Sequence, residues 1–476
     1  MLLRFEVGLK PHVRDVVGER VARKIKSELG LTLEGVDIIR VYTVDGVNQA
    51  QARAVLDAGA LHDPVLHQVS LTPLALAQAG SFDWALEVGF RPGVTDNEAR
   101  TARETIALVL GLEKPAKSLA VYTSVQYLLR AQAGPGMPDL DEKTVLHIAR
   151  DLLANELIQR FEYKSAEQWL KNPGFAPKAA RVTGQASDEV QVIALTTMTD
   201  DELVAFSRAN TLALSLDEMK TIVAYFKDPA TRAARKAAGL GPELADNPTD
   251  AEVEVLAQTW SEHCKHKIFN AIIDYEDTEL GCRRTVNSLF KTCIQGSTKA
   301  IRQAKGTDDF CLSVFKDNAG VIRFNDNLNI CIKVETHNSP SALDPYGGAL
   351  TGIVGVNRDP MGTGLGANLL CNTDVFCFAS PFYEGELPPR LLHPRRVLEG
   401  VREGVEHGGN KSGIPTVNGS IVFDERYLGK PLVYCGTVGT MPVRVAGRLS
   451  HEKRACPGDH IVMSGGRIGK DGIHGA

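Results

Sequence analysis

The chain has 476 residues, too many for one compact core, and the length prior points to roughly three domains of about 150 residues. Hydrophobic residues make up 43% and charged residues 23%, which excludes long disorder, and a formal charge of -5 excludes a broad basic face for nucleic acid or a polybasic membrane patch. No stretch approaches 18 consecutive apolar residues, and "MLLRFEVGLKPHVRD" meets charge too soon for a signal peptide, so a cytoplasmic protein without membrane partner is expected. Nine cysteines without a CxxC pair read as reduced thiols.

The first third contains an internal repeat. "EVGLKPHVRDVVGERVARKIKSELGL" from Glu6 returns as "EVGFRPGVTDNEARTARETIALVLGL" from Glu87, and "VYT" at 41–43 returns at 121–123. Each copy reads strand, helix, strand, helix, strand, with Pro11 and Pro92 ending the first strand. Two such units are expected to pair their sheets in an α+β sandwich, because one alone leaves a sheet face unburied. Residues 1–165 carry no gathered acids, histidines or glycine loops and read as scaffold.

Residues 166–248 change texture to helices and loops, with "KNPGFAPKAARVTGQAS" as exposed linker and "LSLDEMKTIVAYFKD" as a helix. Thr249 and Glu252 form a capping-box pair that starts a helix through "AEVEVLAQTWSEHCKHK". From 249 to 442 the chain is strand-rich: "FCLSVFKD", "VIRFNDNLNICIKVETH", "TGIVGVN", "DVFCFAS", "SIVFDER" and "PLVYCGTVGTM" are expected strands, with an amphipathic helix in "PPRLLHPRRVLEGVREGVEHGGNKSGIP". Residues 443–476 begin a further domain that stops on a glycine loop, so the chain reads as an incomplete functional unit.

The chemistry concentrates in "KVETHNSPSALDPYGGALTGIVGVNRDPMGTGLGAN", residues 333–368. Lys333, Glu335 and His337 alternate along a strand end and therefore share one face, which cannot be buried without partners. Arg358 and Asp359 follow, then Gly362, Gly364 and Gly366, a spacing that lets backbone N–H groups approach a phosphate. Carboxylates such as Glu335 and Asp359 suit Mg2+, while Lys333, Arg358 and the glycine loop suit the phosphates of ATP, and His337 is left to move a proton. A salt-bridged exposed edge and a plain glycine turn account for the same residues without a ligand. In "SEHCKHK", His263, Cys264 and His266 point to different faces of one helix, which speaks against zinc and for a histidine on the rim of the phosphate site or a solvated helix end.

Taken together, "SEHCKHKIFNA", "KVETHNSPSALDPYGGALTGIVGVNRD" and "GGRIGKDGIHGA" resemble the phosphoribosylformylglycinamidine synthases in their large form, and the repeat resembles that family's small auxiliary subunit, duplicated and fused. The resemblance implies a ferredoxin-like tandem domain, a helical linker, and a first synthase α/β domain of the aminoimidazole-ribonucleotide-synthase-like type. It implies a ligase that converts formylglycinamide ribonucleotide, ATP and glutamine-derived ammonia to formylglycinamidine ribonucleotide. The family's active-site histidine matches His263 and its proton acceptor His337. Its ATP lysine matches Lys333, its Mg2+ ligands Glu335 and Asp359, and its substrate contacts Thr336, His337, Asn338, Ser339 and Arg358. His266 is a candidate nucleotide contact where the short form has tyrosine, and Ser339 stands where the short form has histidine. The resemblance further implies a second synthase half, in cis or in trans, and a glutaminase domain or subunit, neither of which this chain contains. Two rival readings share the site: a scaffold or assembly subunit of a split synthase, and a small-molecule kinase of the same ATP-binding superfamily.

Overall fold

Both copies of the repeat fold from the same local signals. The computed structural model describes residues 2–75, 82–112, 115–116, 118–132, 140–182 and 189–465. The first copy runs β1 (Leu3–Leu9), α1 (Val16–Leu29), β2 (Leu33–Asp45), α2 (Gln49–Asp57) and β3 (His67–Ser70). The second runs β4 (Trp84–Phe90), α3 (Asn97–Val109), β5 (Ala120–Ala131), α4 (Glu142–Ile148) and β6 (Gln159–Ser165). Equivalent aspartates start α1 and α3. Asp15 accepts from the Gly18 amide at 2.7 Å with one oxygen and from the Ile38 amide at 2.9 Å with the other. Asp96 does the same with Ala99 at 2.8 Å and Thr123 at 2.9 Å. One carboxylate thus caps each helix and ties it to the following strand.

The copies join through strand edges. β2 pairs antiparallel with β5, from Val36 opposite Leu129 to Asp45 opposite Ala120, giving one sheet in the order β3-β1-β2-β5-β4-β6. The helices lie over one face, where Phe5, Val7, Tyr42 and Val44 meet α2 and α3. The expected mutual burial of sheet faces by the two copies does not occur. The second face is covered locally by Phe82, Trp169 and Phe175, which pack on Ile39, Val41, Ala85 and Leu128. Trp169 lies in α5 (Ala166–Lys171), and Phe175, in the segment expected to be exposed linker, is 6% exposed with its ring 5.5 Å from that indole. The start of that segment is therefore core, and its residues 183–187 lie outside the described ones.

A buried ionic cluster sits on this second face. Arg4 Nε donates to Glu6 at 2.7 Å, and its two terminal nitrogens donate to Glu87 at 3.1 and 2.6 Å. Ser124 adds a 2.7 Å bond to Glu87, and the Leu74 amide a 2.8 Å bond to Glu6. Glu6 and Glu87 are equivalent residues of the repeat, whereas Arg4 has Ala85 as its counterpart, so a single cation serves both acids. Burial pulls the Arg4 pKa down, but the two glutamates outweigh it and hold the guanidinium above its usual value.

The same compact unit, which comprises Met1–Gly184 and Cys331–Thr440, holds most of a second sheet. Four of its six strands, β7 (Leu328–Thr336), β8 (Asn368–Phe378), β9 (Thr416–Phe423) and β10 (Leu432–Pro442), are ordered β9-β8-β10-β7. Between them come α6 (Asn338–Leu343), α7 (Pro345–Met361) and α8 (Pro394–Ser412). "TGIVGVN", expected as a strand, lies inside α7. Ala349, Ile353, Val356 and Pro360 are buried and Thr351, Val354 and Arg358 exposed, a spacing of 3.6 that overrides the strand preference of the β-branched residues. α7 and α8 approach through glycines: a Cβ on Gly400, Gly404 or Gly408 would come within 2.6 Å of Pro345, Tyr346 or Ile353. The opposite face of the sheet is open, with Ile332, Val334 and Leu370 each at least 45% exposed.

The second compact unit comprises Gln185–Ile330 and Met441–Ala476. Three of its helices, Asp200–Ala209, Leu216–Lys227 and Asp250–Thr259, each start at a capping box, at Thr199, Ser215 and Thr249, and pack around Leu203, Met219, Ile222, Phe226 and Val253. The last of them was expected to run on through "SEHCKHK" and does not. Ser261 accepts from the Cys264 amide and caps a separate turn, Glu262–Lys265, which His266 closes at φ 51°. The third signature, "GGRIGKDGIHGA", lies outside the described residues except for Gly465.

Replacing Arg4 by Met leaves two buried carboxylates without their cation. We expect the substitution to cost about 3–5 kcal/mol and the triple replacement Arg4→Met, Glu6→Gln, Glu87→Gln to recover most of it. Urea unfolding followed by Trp84 and Trp169 fluorescence measures both, and a loss under about 1 kcal/mol in the single variant would contradict the role given to Arg4.

Candidate active site

The charged face of β7 meets α7 residue by residue. Lys333 Nζ lies 2.7 Å from Asp359 Oδ2 in the last turn of the helix, and both side chains keep 29% of their surface. One step on, Glu335 lies beside Gly355, where an added Cβ would stand 3.5 Å from Oε2. Next, His337 faces Gly352, whose Cβ would fall 3.2 Å from that of the histidine. The strand and the helix therefore run antiparallel, and glycine at 352 and 355 leaves the room that the histidine and glutamate fill.

His337 is held firmly. Its backbone N–H donates to Val433 O at 2.9 Å, and the Val433 N–H donates to Asn338 Oδ1 at 2.8 Å, so the start of α6 is stapled to β10. Its Nδ1 lies 2.6 Å from Gly348 O. A carbonyl only accepts, so Nδ1 carries the hydrogen and Nε2 is the basic nitrogen. That arrangement suits a proton acceptor.

The other expected residues divide. Thr336, Ser339 and Arg358 are exposed, next to this seam in sequence. Asn338, expected at the substrate, has its side-chain oxygen occupied by Val433. Gly362, Gly364 and Gly366 form a loop after α7, with Gly364 and Gly366 at φ 56° and 98°. The Gly362 N–H donates back to Arg358 O at 3.0 Å and the Gly366 N–H to Thr363 O at 2.9 Å. Those two amides are thus not aimed outward, and the loop sits at the negative end of the helix, which does not favour an anion. A plain turn, the alternative reading of these glycines, fits this geometry. His263 and His266 belong to the second compact unit, where both are exposed.

A buried polar group beneath α7 was not anticipated. Asp374 on β8 is 4% exposed; Thr416 Oγ1 donates to its Oδ2 at 2.9 Å, and its Oδ1 has no hydrogen-bond partner among the described residues. Asn372, two residues earlier, donates to Asn357 Oδ1 of α7 at 2.8 Å and to Gly436 O at 3.0 Å. Cys435, opposite Asp374 on β10, has its thiol pushed up by burial, then by Asp374 and by Glu335. Burial likewise pushes Asp374 up, against the lowering by Thr416 and Cys435. The signal for this group was the alternation in "LCNTDVFCF", where the polar 372 and 374 share the face of the buried Phe378.

Glu335 and Asp359 are the two carboxylates the seam brings to one helix, and among the described residues no group of three His, Cys, Asp or Glu is placed to hold a metal ion. Two protein carboxylates with phosphate oxygens and water completing the shell fit Mg2+, which keeps much of its hydration.

Residues 316–441 match the family described as "AIR synthase related protein, N-terminal domain", and residues 198–267 match "Formylglycinamide ribonucleotide amidotransferase linker domain". These define the class: a synthase-type α/β domain with its helical linker. The chain is 36% identical over 280 residues to phosphoribosylformylglycinamidine synthase subunit PurL of Thermoplasma acidophilum, covering 58% of this chain and 30% of that one. It is 34% identical over 281 residues to the subunit of the same name from Thermoplasma volcanium, again 58% of this chain and 30% of the relative. The chain is thus similar to phosphoribosylformylglycinamidine synthase subunits over 58% of its own length, and it spans about 30% of the length of the relatives it matches. A solved structure titled "T. maritima PurL complexed with FGAR" aligns at 25% identity and a TM-score of 0.26, covering 44% of this chain and 26% of that one.

The raised pKa of Asp374 sets a pH signature. Its charge costs folded stability, so its contribution is most favourable below the pKa of an unfolded aspartate and is lost as pH rises through the folded value. Asp374→Asn removes that loss. The variant should gain stability relative to the parent between about pH 3 and pH 7, seen in urea midpoints across the range, and a pH-independent difference would contradict the burial argument.

Proposed function

We propose that this chain supplies the N-terminal part of a phosphoribosylformylglycinamidine synthase, which forms formylglycinamidine ribonucleotide in the cytoplasm for purine biosynthesis. In this reading residues 1–165 are a ferredoxin-like tandem counterpart of the auxiliary subunit, 166–248 the linker, 249–442 the first synthase domain, and 443–476 the start of the next. The observation that carries it is the seam in which Lys333, Glu335, His337 and Asp359 meet α7, with His337 holding its proton on Nδ1. A kinase of the same superfamily needs the phosphate groups but has no use for a histidine with a free basic nitrogen beside them.

The chemistry is a two-step exchange. The substrate amide oxygen takes the γ-phosphoryl of ATP, releasing ADP and leaving an iminophosphate. Ammonia then attacks the amide carbon, the C–O bond breaks, and the oxygen departs in phosphate. Lys333 neutralises phosphate charge, and the ion pair with Asp359 holds it in place before ATP arrives. His337 Nε2 accepts the proton that ammonia loses on forming the C–N bond. Mg2+, held by Glu335 and Asp359, would supply charge neutralisation on the triphosphate. His263 and His266 are assigned by family likeness to catalysis and the nucleotide, as are Thr336, Asn338, Ser339 and Arg358 to the substrate; Gly362, Gly364 and Gly366, expected from their spacing to cradle ATP phosphate, are given no role in this reading.

The open sheet face favours a further partner. Ile332, Val334 and Leu370 expose apolar surface on one face, and all of β9 is exposed, a surface that a second synthase half would cover. Ammonia would come from a glutaminase domain or subunit.

In the enzyme completed by its second half and glutaminase, His337→Ala and Glu335→Gln should each lower ammonium-dependent turnover by about 10^2–10^4-fold with the fold intact by circular dichroism. Turnover within a few-fold of the parent in either variant would remove the assignment. The 476-residue chain alone should show little ATP- and ammonia-dependent product formation, and robust turnover would refute the need for the second half.

A further inference from the structure

Away from the seam, a cleft of about 670 Å³ lies between the second repeat unit and the residues leading into α8, all within the first compact unit. Four arginines line it, Arg91, Arg150, Arg390 and Arg396, against two acids, Asp151 and Glu156. In a chain of net charge -5, that local excess of cations stands out.

Three of the guanidiniums are already braced by protein acceptors. Arg91 Nε donates to the carbonyls of Glu156 at 2.8 Å and Gln159 at 3.0 Å. Arg396 Nη1 donates to Arg150 O at 2.7 Å, and Arg150 Nε lies 3.6 Å from Glu156 Oε2. Each guanidinium has five N–H donors, so each brace engages one nitrogen and leaves others for a ligand whose oxygens accept in pairs. Burial lowers the Arg396 pKa, and the nearby acids Asp151, Glu28 and Asp344 only partly offset it. Arg390 is exposed and takes φ 69°, a left-handed conformation that non-glycine residues seldom adopt.

Four leucines, Leu157, Leu387, Leu391 and Leu392, share the remaining wall with Asn155 and His393. A bare anion would use only the arginines. We propose that this cleft binds a phosphomonoester with an apolar or aromatic body, its phosphate on the arginines and its body against the leucines. The site is separate from the catalytic seam and does not rest on the function assigned there.

Titration calorimetry of the full chain with phenyl phosphate at low salt tests it. One molecule should bind per chain, at least about tenfold more tightly than inorganic phosphate. Arg390→Glu should weaken both ligands by about tenfold or more, Leu387→Ser should weaken phenyl phosphate alone, and Lys333→Ala should leave both unchanged. Absence of binding, equal affinity for the two ligands, or unchanged binding in Arg390→Glu with normal circular dichroism would overturn the proposal. Loss of binding in Lys333→Ala would assign the ligand to the catalytic seam and overturn it as well. The Lys333 variant thus separates failure here from failure of the synthase assignment.

Discussion

The close approach of α7 to β7 governs the rest of the domain built on the second sheet. A strand face carrying lysine, glutamate and histidine in alternation cannot be covered by an ordinary apolar helix without stranding charge in a dry interior. α7 solves this by presenting glycine opposite the two bulky groups and aspartate opposite the cation. The opposite flank of α7 needs closeness too, and there the glycines of α8 supply it. Small residues on both sides thus fix one helix at a single height above the sheet, and the charged groups of the seam inherit that precision.

The repeat domain shows a different use of buried charge. Its edge-to-edge pairing buries the two equivalent glutamates on one face of a continuous sheet, on the strands that flank its central pair, where like charges repel. Arg4, present in one copy, breaks the internal symmetry to neutralise both. A symmetric arrangement would have given each acid its own cation or none. The fusion of the copies into one chain is what allows such an unequal division of labour.

Much of this was legible from residue order. The repeat shows the same order in both copies because the first helix of each begins at an aspartate that also reaches the next strand. The alternation at 333, 335 and 337 placed three side chains on one face, as a period of two requires. What misled was local preference. "TGIVGVN" is rich in β-branched residues, yet its burial follows a helical period, so Asp359 is a helix residue and its neighbour Arg358 points away to solvent. The glycine run suggested outward amides, but amide direction depends on how the helix ends, which spacing alone does not encode. Asp374 escaped notice because its polar character is meaningful only once β10 and α7 are laid against it.

The bonds that fasten the repeat domain to the elements around the second sheet have a common form. Arg395 reaches Glu28 O, Arg396 reaches Arg150 O, and Asn155 reaches Leu343 O at the end of α6. In each, a side chain meets main-chain oxygen, which every amino acid possesses. Such a joint is indifferent to the identity of the residues on its accepting side, so those surfaces are free to drift through evolution while the two halves stay in the same mutual pose.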